Sequence, residues 1–147
     1  MSKQLQLKII TPEKLILDEM VDAVTIPTAN GEISVLADHV PLIAELSSGD
    51  VVAISSGEHI PMAVVGGFIE VKKDGDVTTC AILADFAEHV ADITDEMIAK
   101  AKQKAEELSK QAENKEIVDF EHFESELERS LTRVKIADKW RTRKYRK

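Results

Sequence analysis

Glycine and proline are confined to the first part of this chain, and this distribution limits the possible folds more than any other feature. All six glycines lie at or before Gly75 and all four prolines at or before Pro61, so residues 76–147 contain neither. Both residue types interrupt helices and form tight turns, so a long stretch without them favours helix. We place the change of architecture between Leu83 and Thr94. We predict a β domain over residues 1–92 and a helical domain over residues 93–147.

Residues 1–92 carry the pattern of short, half-buried strands. Leu5, Leu7 and Ile9 alternate with polar residues, which is the period of a strand with one buried face. Turn pairs recur about every 8 to 18 residues, a spacing that leaves no room for crossover helices and suits an antiparallel β-sandwich or barrel. The turn pairs are Asn30-Gly31, Ser48-Gly49, Ser56-Gly57 and Asp74-Gly75.

Residues 93–147 have the pattern of two amphipathic helices. Thr94 supplies a capping side chain, and Asp95 and Glu96 place two carboxylates in the first turn. A polar link around Asn114-Lys115 separates two apolar stripes, which predicts an antiparallel hairpin. The fold class is therefore α+β: an N-terminal antiparallel β-sandwich or barrel followed by a C-terminal antiparallel α-helical hairpin. The first stripe is Met97, Ile98, Ala101, Ala105, Leu108 and Ala112; the second is Phe120, Phe123, Leu127, Leu131 and Val134.

Charge is unevenly distributed along the chain. The sequence has 27 acidic and 19 basic residues, a net charge of -8, yet residues 129–147, the basic arm, hold nine basic residues and one acidic residue. On a helical wheel Arg129, Arg133 and Arg143 lie opposite the second apolar stripe, on the same face as Trp140. This face suits an acidic partner. The simpler alternative is a solvated helix end, whose cations offset the negative pole of the helix dipole.

Two other functions compete with a protein-binding role. A nucleic-acid-binding module could use the basic arm, but only Trp140 and Tyr145 are there to stack on bases, and the acidic remainder repels phosphate. A stand-alone enzyme is disfavoured because His39 has no Ser, Cys or paired carboxylate at a recognisable motif spacing. We expect no catalytic residue and no nucleic-acid partner, and we keep the nucleic-acid module as the alternative.

Cofactors and membrane segments are not predicted either. Cys80 is the only cysteine, which excludes an internal disulfide and a thiolate zinc site. The pair Gly66-Gly67 lacks a phosphate-loop context and favours a bulge or a close sheet contact. No apolar run has the length of a signal peptide core or a membrane span, so we expect neither secretion nor membrane insertion. A metal site is considered and disfavoured, because its candidates lie in an acidic connector without motif spacing: Asp85, Glu88, His89 and Asp92.

Several segments, taken in order, resemble one known family. Residues 31–42 (GEISVLADHVPL) combine Gly-Glu, a short apolar run, a loop histidine and Pro-Leu. Further matches follow the family order at residues 21–22, 66–71 (GGFIEV), 83–85 (LAD) and 99–107 (AKAKQKAEE). Over essentially its full length the chain is similar to the epsilon subunit of bacterial F-type ATP synthase.

The resemblance implies a non-catalytic rotor subunit, peripheral on the cytoplasmic face of the bacterial plasma membrane. In that family the sandwich binds the gamma subunit and the polar loops of the c-ring, and the hairpin restrains ATP hydrolysis. Carried over by position, Glu32 faces the c-ring and His39 lies near gamma. The basic arm would contact an acidic segment of the catalytic beta subunits; its candidate contact residues are Arg129, Arg133, Arg141 and Arg143.

Some members of the family bind ATP in the folded hairpin, and this chain departs from their motif. Ile93 is retained, but Thr94, Met97 and Ile98 replace the motif's aspartate, arginine and alanine. The peripheral positions are matched by three residues: Glu88, Arg129 and Arg133. A lost charged hydrogen bond weakens binding by roughly one to two orders of magnitude. We therefore expect no bound cofactor and no ATP binding at submillimolar concentration.

Overall fold

The computed structural model describes residues 3–113 and 120–143, with side chains for residues 3–113 and 122–140. Eight strands come first, followed by a short 3-10 turn and two helices. The strands end at His89 and the first helix begins at Asp95, on either side of the domain boundary predicted at residue 92. The elements are β1 (Gln4–Ile10), β2 (Leu15–Val21), β3 (Ala23–Thr28), β4 (Gly31–Leu36), β5 (Leu42–Glu45), β6 (Gly49–Ser55), β7 (Glu58–Asp74), β8 (Val77–His89), the 3-10 turn (Val90–Asp92), α1 (Asp95–Glu113) and α2 (Phe120–Arg143).

The strands form a sandwich whose two longest strands, β7 and β8, pair with each other along nearly their whole length. The strand order is β2-β1-β8-β7-β6-β3-β4, and β5 pairs with β7 outside this path. The first half of β7 pairs with β6 and its second half with β5. All pairings are antiparallel except that of β1 with β8, which is parallel. The predicted sandwich is confirmed, but its antiparallel character does not extend to this pair.

Gly66 and Gly67 mark the point where β7 changes partner. Their φ angles are +61° and +117°, a region that side chains with a Cβ rarely adopt. A Cβ on Gly67 would lie 1.9 Å from the carbonyl oxygen of Leu83 on β8. The interpretation of this pair as a close sheet contact is therefore confirmed.

The sandwich core is aliphatic, as the strand alternation predicts. Leu5, Leu7 and Ile9 are fully buried between the layers, and Cys80 lies among them as a small apolar residue. Burial raises the pKa of the Cys80 thiol to about 12, so this thiol is unreactive while the sandwich is folded. Three of the four predicted turn pairs contain a positive φ angle, whereas Gly49 instead begins β6.

The predicted buried face is largely confirmed in α1 and only partly in α2. In α1 the residues Ile98, Ala101, Ala105 and Leu108 are buried as predicted, but Ala112 is exposed. In α2 Phe123 is buried as predicted, and Leu127 and Val134 are half-buried. The prediction is wrong for Leu131, which is 52% exposed. The second half of α2 turns its buried face toward both the sandwich and the start of α1. Its buried residues there are Thr132, Ile136, Ala137 and Trp140. The predicted link at residues 114–115 lies outside the described residues.

Candidate functional site

The surface where the hairpin docks on the sandwich has its own small apolar core. It joins one residue of β7 to the 3-10 turn, the start of α1 and the second half of α2. The contacts on α2 follow one helical face at four-residue spacing. Val52 on β6 and Val134 on α2 pack at its edge. The buried members are Ala63, Val90, Ile93, Ile98, Ile136, Ala137 and Trp140.

Asp50 binds two consecutive residues of α2. Its Oδ2 accepts hydrogen bonds from Lys139 Nζ at 2.8 Å and from Trp140 Nε1 at 2.9 Å. The Asp50 side chain is only 12% exposed, so its charge is largely removed from water and compensated by Lys139. The ring of His59 on β7 lies 6.4 Å from the Trp140 ring, centroid to centroid. We call Asp50, Lys139 and Trp140 the Asp50 clamp.

A second polar contact lies nearer the middle of α2. Arg133 Nε donates to Glu88 Oε2 at 2.8 Å, and the Glu88 side chain is 16% exposed. The guanidinium groups of Arg129 and Arg133 also lie over the ring of Phe86, with their carbons 5.2 Å and 5.5 Å from its centroid. Phe86 and Glu88 are on β8, so these cation–π and ionic contacts hold α2 to the sandwich.

Arg129 and Arg133, on the basic face of α2, are thus turned toward the sandwich. Trp140 on this face is 7% exposed, so in the docked hairpin it is not accessible to a partner. The helical wheel correctly groups Trp140 with Arg129 and Arg133, but it cannot show which surface that face meets. Arg141 and Arg143 lie within α2, and their side chains are outside the described part of the chain.

The nucleotide candidates are only partly brought together. Glu88, Arg129 and Arg133 are neighbours on β8 and α2, whereas Ile93 is buried in the apolar core of the hairpin interface. The Thr94 side chain accepts a hydrogen bond from the backbone N–H of Met97, so it caps α1. A cavity of about 210 Å³ beside these arginines is smaller than a typical ligand pocket of roughly 300–1,000 Å³. The absence of ATP binding stays a prediction.

Glu32 and His39 lie toward opposite ends of β4. Glu32 is exposed and pairs with Pro27, and His39 follows the strand in an exposed turn. Asp38 organises this turn at a φ of +71°. Its two carboxylate oxygens each lie 2.7 Å from a lysine Nζ, one from Lys3 and the other from Lys73. The hydrogen bond from Lys3 has the larger effect and that from Lys73 the next, and they lower the pKa of Asp38 to about 2.

An exposed apolar row crosses the outer face of the sheet formed by β2, β1, β8 and β7. Phe68 pairs with Leu83, Leu83 with Ile10, and Ile10 with Leu15. Phe68 is 60% exposed and Leu83 50% exposed. Exposed apolar groups in one row mark a binding surface more strongly than scattered ones. We call these four residues the outer apolar row. Sequence reasoning missed it, because adjacency across three strand pairings has no local signal.

The described residues contain neither a group suited to bind a metal ion nor a helix suited to cross a membrane. Over residues 3–113 and 120–143 no group of three or more His, Cys, Asp or Glu is arranged to hold a metal ion. In the same residues no helix has the length and apolar character to cross a membrane. Glu88, one of the metal candidates, is bound to Arg133.

The sandwich defines the class of protein. A family model described as the beta-sandwich domain of the ATP synthase delta/epsilon chain matches residues 4–90. Relatives extend the match into the hairpin. The ATP synthase epsilon chain of Nitratidesulfovibrio vulgaris (strain DP4) is 39% identical over 136 residues, covering 92% of this chain and 97% of the relative. That of Desulforamulus reducens is 37% identical over 140 residues, covering 94% of this chain and all of the relative.

The chain therefore belongs to the ATP synthase epsilon chain family. A chain in the cryo-EM structure of Euglena gracilis mitochondrial ATP synthase (OSCP/F1/c-ring) is similar with a TM-score of 0.63 and 25% identity, covering 94% of this chain and 79% of that one. A chain from the central stalk/c-ring structure of Tetrahymena thermophila mitochondrial ATP synthase shares the fold, with a TM-score of 0.50, 18% identity and coverage of 65% and 74%.

This membership confirms the predicted resemblance and the predicted fold class. It also confirms that the chain is a non-catalytic subunit of the ATP synthase complex rather than a stand-alone enzyme. The partner contacts, the candidate residues that make them and the independence of the two domains stay predictions.

Proposed function

We propose that this chain is a central-stalk rotor subunit, which couples the gamma subunit to the c-ring and restrains ATP hydrolysis through its hairpin. On this proposal the sandwich transmits torque by holding two partners, and the complex lies peripherally on the cytoplasmic face of the bacterial plasma membrane. Support comes from the membership of the epsilon chain family and from the similarity to a chain of an ATP synthase structure that includes F1 and the c-ring.

The observation that carries the coupling role is the outer apolar row. It presents Phe68 and Leu83 side by side on a rigid, fully paired sheet, where a partner can bury them without distorting the sandwich. We propose that this row and the turn around His39 contact gamma. Glu32, toward the other end of β4, would contact the polar loops of the c-ring.

The hydrolysis role follows from the polar contacts of α2. Arg133 and Lys139 are bound to carboxylates of the sandwich in the docked hairpin. When the hairpin leaves the sandwich, these cations are free to pair with an acidic segment of the beta subunits. Arg129, Arg141 and Arg143 would add to that contact from the same helix.

Binding to purified gamma tests the coupling role. We expect Phe68→Asp and Leu83→Asp to weaken the affinity for gamma by at least about tenfold, because each places a charge in a buried apolar contact. Leu131→Asp is the matched control, since Leu131 is similarly exposed but lies on α2. Unchanged affinity in both sandwich variants would contradict the proposed gamma surface.

ATP hydrolysis by the reconstituted complex tests the regulatory role. We expect that changing Arg129, Arg133, Arg141 and Arg143 together to glutamate relieves inhibition and leaves ATP synthesis coupled, because the acidic partner then repels the arm. Hydrolysis that stays inhibited at both low and moderate salt would refute docking of the basic arm on beta.

A further inference from the structure

We propose that the Asp50 clamp is the latch that sets how often the hairpin leaves the sandwich. This inference rests on the proposed function, in which hairpin release is the regulatory step. The latch joins the start of β6 to the last described side chains of α2, so its opening frees the end of that helix.

The geometry distinguishes the Asp50 clamp from an ordinary surface ion pair. One carboxylate oxygen of Asp50 accepts both a charged and an aromatic N–H, from residues adjacent in sequence. Asp50 lies in a largely buried position, and Trp140 is simultaneously packed in the apolar core of the hairpin interface. If one member of the Asp50 clamp is replaced, a buried polar group loses its hydrogen-bond partner in the docked hairpin. This reduces the free energy of docking more than the loss of an exposed ion pair does.

The clamp also couples polar and apolar docking through a single side chain. Trp140 can bury its ring against the sandwich only if its indole N–H finds an acceptor there, and Asp50 supplies it. Replacing the carboxylate by a neutral amide keeps an oxygen for the indole N–H, but it removes the charge that strengthens this hydrogen bond and pairs with Lys139. We expect Asp50→Asn to raise the ratio of undocked to docked hairpin about tenfold or more, because charge-assisted hydrogen bonds are the strong ones.

The sequence provides two internal probes. Trp140 is the only tryptophan and Cys80 the only cysteine of the chain. Trp140 lies in the hairpin interface and Cys80 in the sandwich core. Acrylamide quenching of Trp140 fluorescence in the full chain therefore reports hairpin release, and the reaction of Cys80 with a thiol reagent reports opening of the sandwich.

We expect Asp50→Asn and Lys139→Met to increase acrylamide quenching of Trp140 while Cys80 stays unreactive. The matched controls are Glu96→Gln and Lys100→Met, which break an exposed ion pair within α1 and should change neither probe. Lys139→Met decides the test if Asp50→Asn does not fold, because it leaves the acceptor for Trp140 in place.

Three results would overturn the latch. The first is unchanged quenching of Trp140 in folded clamp variants, and the second is an equal increase in quenching in the α1 control variants. The third is a rise in Cys80 reactivity that parallels the quenching in the clamp variants, which would make Asp50 a general stabiliser of the sandwich. Hydrolysis by the reconstituted complex separates the latch from the proposed function. Increased release in Asp50→Asn without any change in hydrolysis would retain the latch and refute the regulatory role of the hairpin.

Discussion

Reversing the charge of Arg133 measures how much docking of the hairpin depends on one ion pair. Arg133 and Glu88 have side chains 28% and 16% exposed, so solvent screens their contact only partly. A hydrogen bond between charged groups contributes about 1.5–3 kcal/mol, and each 1.4 kcal/mol is tenfold in an equilibrium constant. Arg133→Glu should therefore raise the undocked fraction about 10- to 100-fold. The introduced carboxylate also repels Glu88, so we expect the increase in the undocked fraction to lie closer to about 100-fold than to about 10-fold.

Hydrogen exchange measures this change along the chain. On undocking, α2 loses the packing of its sandwich-facing side, so we expect its backbone amides to exchange mainly from the undocked state. We expect these amides to exchange about tenfold faster or more in Arg133→Glu, and the amides of β7 to keep their rates. The double variant Glu88→Arg with Arg133→Glu restores an ion pair of reversed polarity and should restore slow exchange.

The matched control is Lys104→Glu, which disrupts an ion pair with Glu126 inside the hairpin without touching the sandwich. Its effect on exchange should be small, because exposed pairs contribute about 0–1 kcal/mol. The reasoning is refuted if Arg133→Glu exchanges like the unmodified chain. It is also refuted if the charge-swapped double variant exchanges as fast as the single variant.

Three further predictions concern other parts of the molecule. A fragment of residues 1–92 should fold alone with a β-type circular dichroism spectrum and bind gamma; an unfolded fragment would show that the sandwich needs the hairpin. The pKa of Asp38 is lowered from 3.8 to about 2, so its contacts stabilise the fold above pH 3.8 and are lost as the pH falls through about 2. The difference in Tm between the unmodified chain and Asp38→Asn should therefore shrink as the pH falls from 3.8 to about 2, and a difference that stays constant over this range would contradict this assignment. Calorimetric titration with MgATP should show no binding at submillimolar concentration, whereas a micromolar Kd would mean that Arg129 and Arg133 compensate for the altered motif.

The features that sequence predicted well are those with a local period. Leu5, Leu7 and Ile9 alternate with polar neighbours, and the strand they form buries these residues in the sandwich core. Ile98, Ala101 and Leu108 recur at helical spacing and are buried in α1. In each case the chemistry of neighbouring residues determines both the element and its buried face.

The features that sequence missed depend on distant pairings. Asp50 and Trp140 are 90 positions apart, and nothing near either residue identifies the other. The parallel pairing of β1 with β8 likewise joins the two ends of the sandwich. The helical spacing of Leu131 predicts burial, but a helical wheel shows only that a helix is amphipathic and not which neighbour each position meets. Here α2 meets both α1 and the sandwich, and its buried face shifts between them.

The difference between the two cores explains how a rigid sandwich can carry a releasable hairpin. The sandwich buries long aliphatic side chains such as Leu7 and Ile82, each of which contributes about 1.5–3 kcal/mol of hydrophobic stabilisation. The apolar core of the hairpin interface is much smaller, includes the alanines Ala63 and Ala137, which bury little apolar area, and is supplemented by charged contacts. Undocking returns those charges to water or to another partner, so they are not left buried and unpaired. On the proposed function, the hairpin can therefore exchange its contacts at small net cost while the sandwich stays intact.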